Sequence, residues 1–145
     1  MRVRAVERAD REGWERLRDG YAAFYGVAQT AEMTDRVWGW LMDPGHEVEG
    51  LVAEDGGRLV GLAHFRAFAR PLSASTGAFL DDLFVEPDAR GSGAAAALIE
   101  AVAEVGRARG WSVVRWITAG DNARARALYD RVAVETPWVT YDVRL

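Results

Sequence analysis

The sequence contains no cysteine, which excludes disulfides, thiolate metal ligands and a covalent thiol intermediate. Histidine occurs only as His46 and His64, so a metal site built on histidine is not expected. Lysine is also absent, and all 18 basic residues are arginine, which we attribute to codon composition. The longest purely apolar run, Ala94 to Ile99, is far below the ~20 residues that cross a bilayer. No apolar segment follows Met1 to Arg4, so we expect no signal peptide, no membrane partner and a cytoplasmic protein.

The composition is that of a globular protein. The chain has 145 residues, half of them hydrophobic, which is enough for one domain over residues 1–145 with a sizeable core. Its net charge of −4 disfavours nucleic acid as a partner and is compatible with a cationic one.

Hydrophobic periodicity and turn signals predict an α+β protein with a mixed central sheet flanked by helices. Strands are predicted over residues 2–6, 48–54, 58–68, 79–85, 112–118 and 138–144. Helices are predicted over residues 10–25, 31–42, 93–109 and 122–132. The order is therefore β-α-α-β-β-β-α-β-α-β, in which an antiparallel meander leads into alternating helices and strands.

A glycine-rich segment stands between a predicted strand and the longest predicted helix. The strand ends at Val85, a turn contains Pro87, and the segment that opens the helix is Arg90, Gly91, Ser92, Gly93, Ala94 and Ala95. Backbone N–H groups at a helix start lack partners, and the helix dipole adds positive charge there. The segment therefore suits a phosphate or pyrophosphate, although the glycines by themselves fit a tight turn equally well.

The same segment also satisfies a different nucleotide-binding pattern. Residues 91–96 match G-x-G-x-x-G/A, the dinucleotide fingerprint, which expects its strand early in a repeated parallel βαβ array. Here three meandering strands come first and only about fifty residues follow. No second nucleotide-binding half fits in that length, so a dinucleotide-binding domain is the less favoured alternative.

A third pattern matches more of the chain. Arg90-x-x-Gly93-x-Ala95 resembles the Q/R-x-x-G-x-G/A acyl-CoA signature of the GNAT N-acetyltransferases. Leu83 to Pro87 resembles the strand and proline-containing turn that precede this signature in the superfamily. Downstream, Asn122-x-x-Ala125-x-x-Leu128-Tyr129 resembles its second motif. One helix and one strand separate the two motifs, as is usual in the family, and the element order resembles the GNAT fold over nearly the whole chain.

The resemblance implies an enzyme that transfers the acetyl group of acetyl-CoA, as cosubstrate and without a metal, to a primary amine. The transfer would be a direct attack in a ternary complex. Leu80 to Val85 and Tyr129 to Ala133 resemble the branch that acts on polyamines, histone tails and related small amines, so the partner would be a small molecule or a peptide. Ala95 replaces a glycine, which the family tolerates, while Thr136 to Val139 lacks the Gly-Phe of many relatives. The family often forms homodimers through its last strands.

The resemblance also implies how acetyl-CoA is held. Its pyrophosphate would lie on the N–H groups of residues 90–95. Its pantetheine arm would pair with the backbone of Leu83 and Val85, as an added strand does. A backbone N–H near Phe84 or Val85 would polarise the thioester oxygen. Asn122 either contacts the pantetheine arm or caps its own helix.

Tyr129 has two interpretations. It lies at the edge of the apolar stripe formed by Ala125, Leu128 and Val132, where a half-buried tyrosine usually bonds a backbone carbonyl. The resemblance implies instead that Tyr129 protonates the departing CoA thiolate. A phenol suits that task because it is a neutral donor at pH 7.

Asp81 and Asp82 are adjacent carboxylates on the strand before the glycine-rich segment. Because side chains alternate along a strand, we expect them to face opposite sides of the sheet. A buried carboxylate needs a partner, so one of them is predicted to be a water-mediated general base or an anchor for an ammonium group. The structural alternative is an ion pair with Arg66 or Arg115. His64 is either a second candidate for the base or a structural histidine whose hydrogen bonds are satisfied within the protein.

The first predicted helix ends in aromatic residues. The resemblance implies that the first two helices form a wall of the substrate pocket, which makes Tyr21 and Tyr25 candidates for lining it. A function of a different class also remains open at this point. A non-catalytic acyl-CoA-binding sensor or interaction module would keep the phosphate-binding segment and have no functional acid or base.

Overall fold

The computed structural model describes residues 1–145, which form five strands and four α-helices. The strands are β1 Arg2–Ala5, β2 Val48–Asp55, β3 Arg58–Arg70, β4 Ser75–Val85 and β5 Val114–Arg115. The helices are α1 Arg11–Tyr25, α2 Ala31–Met42, α3 Ala94–Ala108 and α4 Ala123–Val132. No helix has both the length and the apolar character that a membrane span requires.

The strands form one mixed sheet in the order β1-β2-β3-β4-β5. The first four strands pair antiparallel with their sequence neighbours, and β5 adds to β4 in parallel. A tight turn at Gly56 and Gly57, both with positive φ, joins β2 to β3, in agreement with the predicted antiparallel meander. The α+β class and the mixed sheet are confirmed.

Each face of the sheet is covered by helices. On one face α1 and α2 contribute Trp14, Leu17 and Trp38, which pack on Leu62 and Phe84 of the sheet. On the other face the apolar stripe of α3, formed by Leu98, Ile99 and Val102, packs on residues such as Ala63, Phe65 and Leu80. The middle strands are therefore apolar on both sides, as strands between two helical layers must be.

The predicted last strand, residues 138–144, is not formed, and β5 covers two residues instead of the seven in 112–118. A strand needs a neighbouring strand for its backbone hydrogen bonds. β5 is too short to give residues 138–144 such an edge. Their apolar side chains are also left in solvent, with Trp138, Tyr141 and Val143 all more than 70% exposed. The segment therefore gains no burial that would fix it against its own sheet.

Candidate functional site

A cavity of about 520 Å³ opens between β4, the start of α3, the end of α1 and α4; we call it the main cavity. It gathers residues that are far apart in the sequence. The predicted site residues that line it are Tyr21, Tyr25, Leu83, Phe84, Val85, Arg90, Gly91, Gly93, Ala94, Ala95, Asn122 and Tyr129. Of the predicted cofactor-binding residues only Ser92 is not on its lining, and the Ser92 hydroxyl accepts a hydrogen bond from the Ala94 N–H at 3.4 Å.

The main cavity exists because β4 and β5 separate. The two strands pair only at Ala78 with Val114 and at Phe79 with Arg115. Beyond Phe79, β4 continues to Val85 with no partner on the side of β5. Leu83, Phe84 and Val85 line the cavity along this stretch. The site thus contains a strand edge that an extended ligand can join.

The glycine-rich segment turns its backbone into the same cavity. Gly91 and Gly93 have φ values of 84° and 88°, a conformation that costs little only for glycine. Apart from the adjacent residues of the chain, no atom lies within 4 Å of the position that a Cβ would take at either residue. The N–H groups of Gly93, Ala95 and Ala96 have no partner in the protein. They stand at the positive end of the α3 dipole, so the segment offers donors and charge to an anion.

Three arginines add positive charge around the main cavity, and the sequence interpretation had singled out only Arg90. The guanidinium of Arg90 stacks over the Phe24 ring, with Cζ 5.7 Å from the ring centroid. Arg124 and Arg131 stand seven residues apart on α4, a spacing that places both on one helix face. None of the three forms an ion pair, so their charge is available to a ligand. The spacing in α4 is the signal that could have identified the two missed residues.

Tyr129 lines the main cavity from α4, and its ring packs edge-on against Trp116 at 5.3 Å between centroids. Its hydroxyl forms no hydrogen bond within the protein, so the backbone-carbonyl partner that the sequence left open is absent. Burial, reinforced by the nearby Tyr25, raises the pKa of the Tyr129 phenol. The phenol therefore keeps its proton at neutral pH and can donate it into the cavity.

The location of Asn122 is compatible with both of the roles considered for it. Its Oδ1 accepts a hydrogen bond from the Ala125 N–H at 3.4 Å, which makes it the N-cap of α4. The same residue lines the main cavity. A cap at this point fixes where α4 begins, and thereby positions Tyr129 two turns later.

A smaller pocket of about 210 Å³ adjoins the main cavity and shares Tyr21 and Tyr25 with it; we call it the second pocket. The groups with hydrogen-bonding or charged side chains in it are Arg18, Tyr21, Tyr25, Gln29, His64 and Asp82. Burial and the charge of Asp82 raise the pKa of the Tyr21 phenol, which keeps that hydroxyl protonated beside the carboxylate. The second pocket therefore holds a carboxylate next to the wall of the main cavity.

The two aspartates share one face of the sheet, so the expectation of opposite faces was wrong. His64 pairs with Asp82 and Phe65 with Leu80, which leaves Asp81 as an extra residue in β4. Such a bulge breaks the alternation of side chains. Asp81 therefore reaches Arg66 and Asp82 reaches His64, and these two partners, two residues apart on β3, point the same way.

Asp81 has the ion pair that the sequence left open as its structural alternative. Its Oδ2 lies 3.1 Å from Nε of Arg66, which also stacks over Phe79. Partial burial raises the pKa of the Asp81 carboxyl despite the opposing effect of Arg66. Asp81 lines neither the main cavity nor the second pocket, whereas Asp82 lines the second pocket.

His64 is buried in a chain of hydrogen bonds that sets its tautomer. Nε1 of Trp14 lies 2.9 Å from Nε2 of His64, and Nδ1 of His64 lies 2.8 Å from Oδ2 of Asp82. An indole N–H is only a donor, so Nε2 is the acceptor and the proton sits on Nδ1. His64 therefore donates to Asp82, and its one lone pair is occupied by Trp14. This geometry argues against His64 as the base and leaves Oδ1 of Asp82 for another partner.

Comparison with known proteins identifies the family of this chain. The sequence matches the model of the acetyltransferase (GNAT) family over residues 14–133. It is 30% identical over 141 residues to a D-amino-acid N-acetyltransferase of Saccharomyces cerevisiae, a match that covers 96% of this chain and 88% of the yeast protein.

Solved structures share the fold. A ribosomal-protein-alanine N-acetyltransferase from Brucella melitensis biovar Abortus 2308 matches with a TM-score of 0.82 at 25% identity, covering 99% of this chain and 98% of that one. AAC(6')-Iy, in complex with the bisubstrate analogue CoA-S-monomethyl-acetylneamine, matches with a TM-score of 0.86, covering 99% and 97% of the two chains. Its 19% identity makes this a likeness of fold alone.

Proposed function

The chain belongs to the acetyltransferase (GNAT) family, and we propose that it transfers the acetyl group of acetyl-CoA to a primary amine by direct attack in a ternary complex. Acetyl-CoA-dependent N-acetyl transfer follows from the family and its N-acetyltransferase relatives. The amine, the mechanism and the site residues are our proposal. One observation carries it, namely the single cavity that joins the glycine-rich segment, the free edge of β4 and Tyr129.

The cofactor-binding half of the proposal rests on backbone groups. The unpartnered N–H groups at the start of α3 would hold the pyrophosphate, and Arg90, Arg124 and Arg131 would balance its charge. The pantetheine arm would run along the unpaired edge of β4 at Leu83 and Val85. A backbone N–H near Phe84 or Val85 would then stabilise the negative charge that develops on the thioester oxygen.

The amine would bind in the second pocket. An aliphatic ammonium has an unperturbed pKa near ~10.4, so it arrives charged and must lose a proton before it attacks. The Asp82 carboxylate both attracts the ammonium and, through water, accepts that proton. The ion pair of Asp81 with Arg66 makes Asp81 the less suitable of the two carboxylates.

The bonds and protons of the transfer balance with one proton released to solvent. The amine nitrogen, after giving one proton to Asp82, forms a bond to the thioester carbon and then loses its surplus proton to solvent as the neutral amide forms. The bond from that carbon to sulfur breaks, and the thiolate takes the phenol proton of Tyr129. With no cysteine in the chain, no acyl-enzyme is expected. Proton return from Asp82 to Tyr129 through solvent resets the site.

We also propose that the protein forms a homodimer through its last residues. Val139, Tyr141 and Val143 alternate with polar residues and are 74%, 89% and 88% exposed. That alternation is typical of a strand with one apolar face, and the same segment of a second copy can supply the neighbouring strand that β5 is too short to provide. Light scattering should show that the wild type is a dimer and that a Tyr141→Asp/Val143→Asp variant is a monomer. A monomeric wild type would contradict the proposal.

The experiment for the enzymatic proposal is a screen for acetyl-CoA turnover, detected as free thiol. The amines are polyamines, lysine analogues, aminoglycosides, basic peptides and amino acids, with acetyl-CoA affinity measured in parallel by calorimetry. Turnover with at least one primary amine is expected. Tight acetyl-CoA binding without turnover of any amine would favour the sensor, and absence of binding would reject the cofactor site.

A further inference from the structure

The second pocket contains charges of both signs, and neither is neutralised inside the protein. Arg18 of α1 and Asp82 of β4 both line it. The only basic side chain within 4.0 Å of Asp82 is that of His64, whose Nε2 accepts the Trp14 hydrogen bond and whose proton is therefore on Nδ1. Arg18 has no carboxylate within that distance. Uncompensated charges in a partly buried pocket are costly, so the pocket is suited to a ligand that carries both opposite charges.

Arg18 is held in place with most of its donors unused. Its Nη1 donates to Oγ1 of Thr34 at 2.9 Å, and its Cζ lies 5.8 Å from the centroid of the Trp14 ring. Thr34 and Trp14 are both buried, at 4% and 1% exposure. A guanidinium has five N–H donors in a rigid fork that matches a carboxylate. The support from Thr34 and Trp14 orders this fork before any ligand binds.

Gln29 gives a second, independent indication of a missing ligand group. It lines the same pocket, and its Oε1 is the one buried side-chain oxygen or nitrogen without a hydrogen-bond partner. Its Nε2 already donates to the Ala28 carbonyl at 3.2 Å. A buried acceptor without a donor is unfavourable, and a ligand N–H would satisfy it.

We propose that the amine substrate is a free amino acid, with its carboxylate bound by Arg18 and its amino group held at Asp82. The proposal rests on the enzymatic function proposed above and names the substrate class of that same site. A diamine or polyamine would instead bring a second positive charge towards Arg18, which like-charge repulsion disfavours. Because the two pockets adjoin at Tyr21 and Tyr25, an amino group held at Asp82 would face the main cavity.

The test compares leucine, as both enantiomers, with 3-methylbutylamine, which is leucine without its carboxylate. The wild type is expected to acetylate at least one leucine enantiomer with a higher kcat/KM than the amine. Arg18→Gln should lower kcat/KM for that leucine about 10- to 100-fold, the usual contribution of one charge-assisted pair. It should leave the value for 3-methylbutylamine within about twofold.

Two matched variants control for other effects of the substitution. Arg18→Lys keeps the charge without the fork and should recover part of the leucine activity. Arg11→Gln, on the same helix but outside both pockets, should behave as the wild type. Equal kcat/KM for leucine and 3-methylbutylamine in the wild type would overturn the proposal, as would an equal loss for both in Arg18→Gln. Either result leaves the enzyme active, and is therefore distinct from a failure of the proposed function, in which no amine is acetylated.

Discussion

The main cavity and the second pocket share a wall of two tyrosines, but they are built from different chemical groups. The main cavity presents backbone N–H groups, a free strand edge and glycines with positive φ. The second pocket presents charged and polar side chains from α1, β3, β4 and the loop after α1. In the proposed function, the backbone groups and arginines of the main cavity bind the parts common to every acetyl-CoA molecule, whereas the side chains of the second pocket select the amine. Substitutions in the two regions should therefore have separable effects on the two substrates.

The largest expected effect is in the main cavity. Gly93→Glu should weaken acetyl-CoA binding at least about 100-fold, because the side chain strains a residue with φ of 88° and repels the pyrophosphate. Calorimetry on both proteins measures the change. Gly110→Glu places the same strain and charge at another glycine with positive φ, outside both pockets, and should bind as the wild type does. Unchanged affinity in Gly93→Glu would remove the basis for the cofactor site.

The next effect is also in the main cavity, and it concerns catalysis rather than binding. Tyr129→Phe should lower kcat by ~10²–10⁴-fold, the usual contribution of a general acid, with acetyl-CoA affinity nearly unchanged. Because burial raises the pKa of this phenol above its ordinary value near 10, the acid form persists through neutral pH and is lost only above that range. The wild-type rate should accordingly show no descending limb from Tyr129 below about pH 10. A correctly folded Tyr129→Phe enzyme with wild-type kcat would show that the acid lies elsewhere.

A comparison of the two aspartates tests the second pocket. Asp82→Asn should lower kcat about 100-fold and change the acidic limb of the pH–rate profile if Asp82 is the base. A raised KM with unchanged kcat would limit it to attraction of the ammonium. Asp81→Asn, the matched control on the same strand, should change either constant by no more than about twofold. The reverse pattern would transfer the role to Asp81.

The smallest expected effect concerns Trp14 and His64, the two residues whose hydrogen bonds position Asp82. Trp14→Phe removes the N–H that Nε2 of His64 accepts, so the tautomer of His64 is no longer fixed and Asp82 is positioned less well. We expect kcat to fall by less than about tenfold, because only one hydrogen bond is lost. Nitrogen-15 NMR of the imidazole reports the tautomer directly. His46→Gln leaves a single histidine, so the remaining signals belong to His64. A proton on Nε2 in the wild type would contradict the hydrogen-bond chain, whatever the rate of the variant.

The site could be predicted from the sequence where its parts are contiguous. The segment from Arg90 to Ala95 carries its own conformation, because glycines permit positive φ and a helix start always leaves N–H groups without partners. The second pocket has no such local signature. Arg18 is one arginine among many in the sequence, and only its packing against Trp14 and Thr34 distinguishes it.

The sequence by itself determined the order of the meander, the glycine-rich segment and its place before α3, because hydrophobic periodicity and glycine conformation act over a few residues. The tertiary structure alone decided the register of β4 on β3, whose bulge at Asp81 turns two adjacent carboxylates to one face. It also decided the tautomer of His64, which depends on a tryptophan 50 residues away. Both depend on the pairing of distant segments, and a one-residue difference in strand register, invisible in the sequence, reverses which face a side chain occupies.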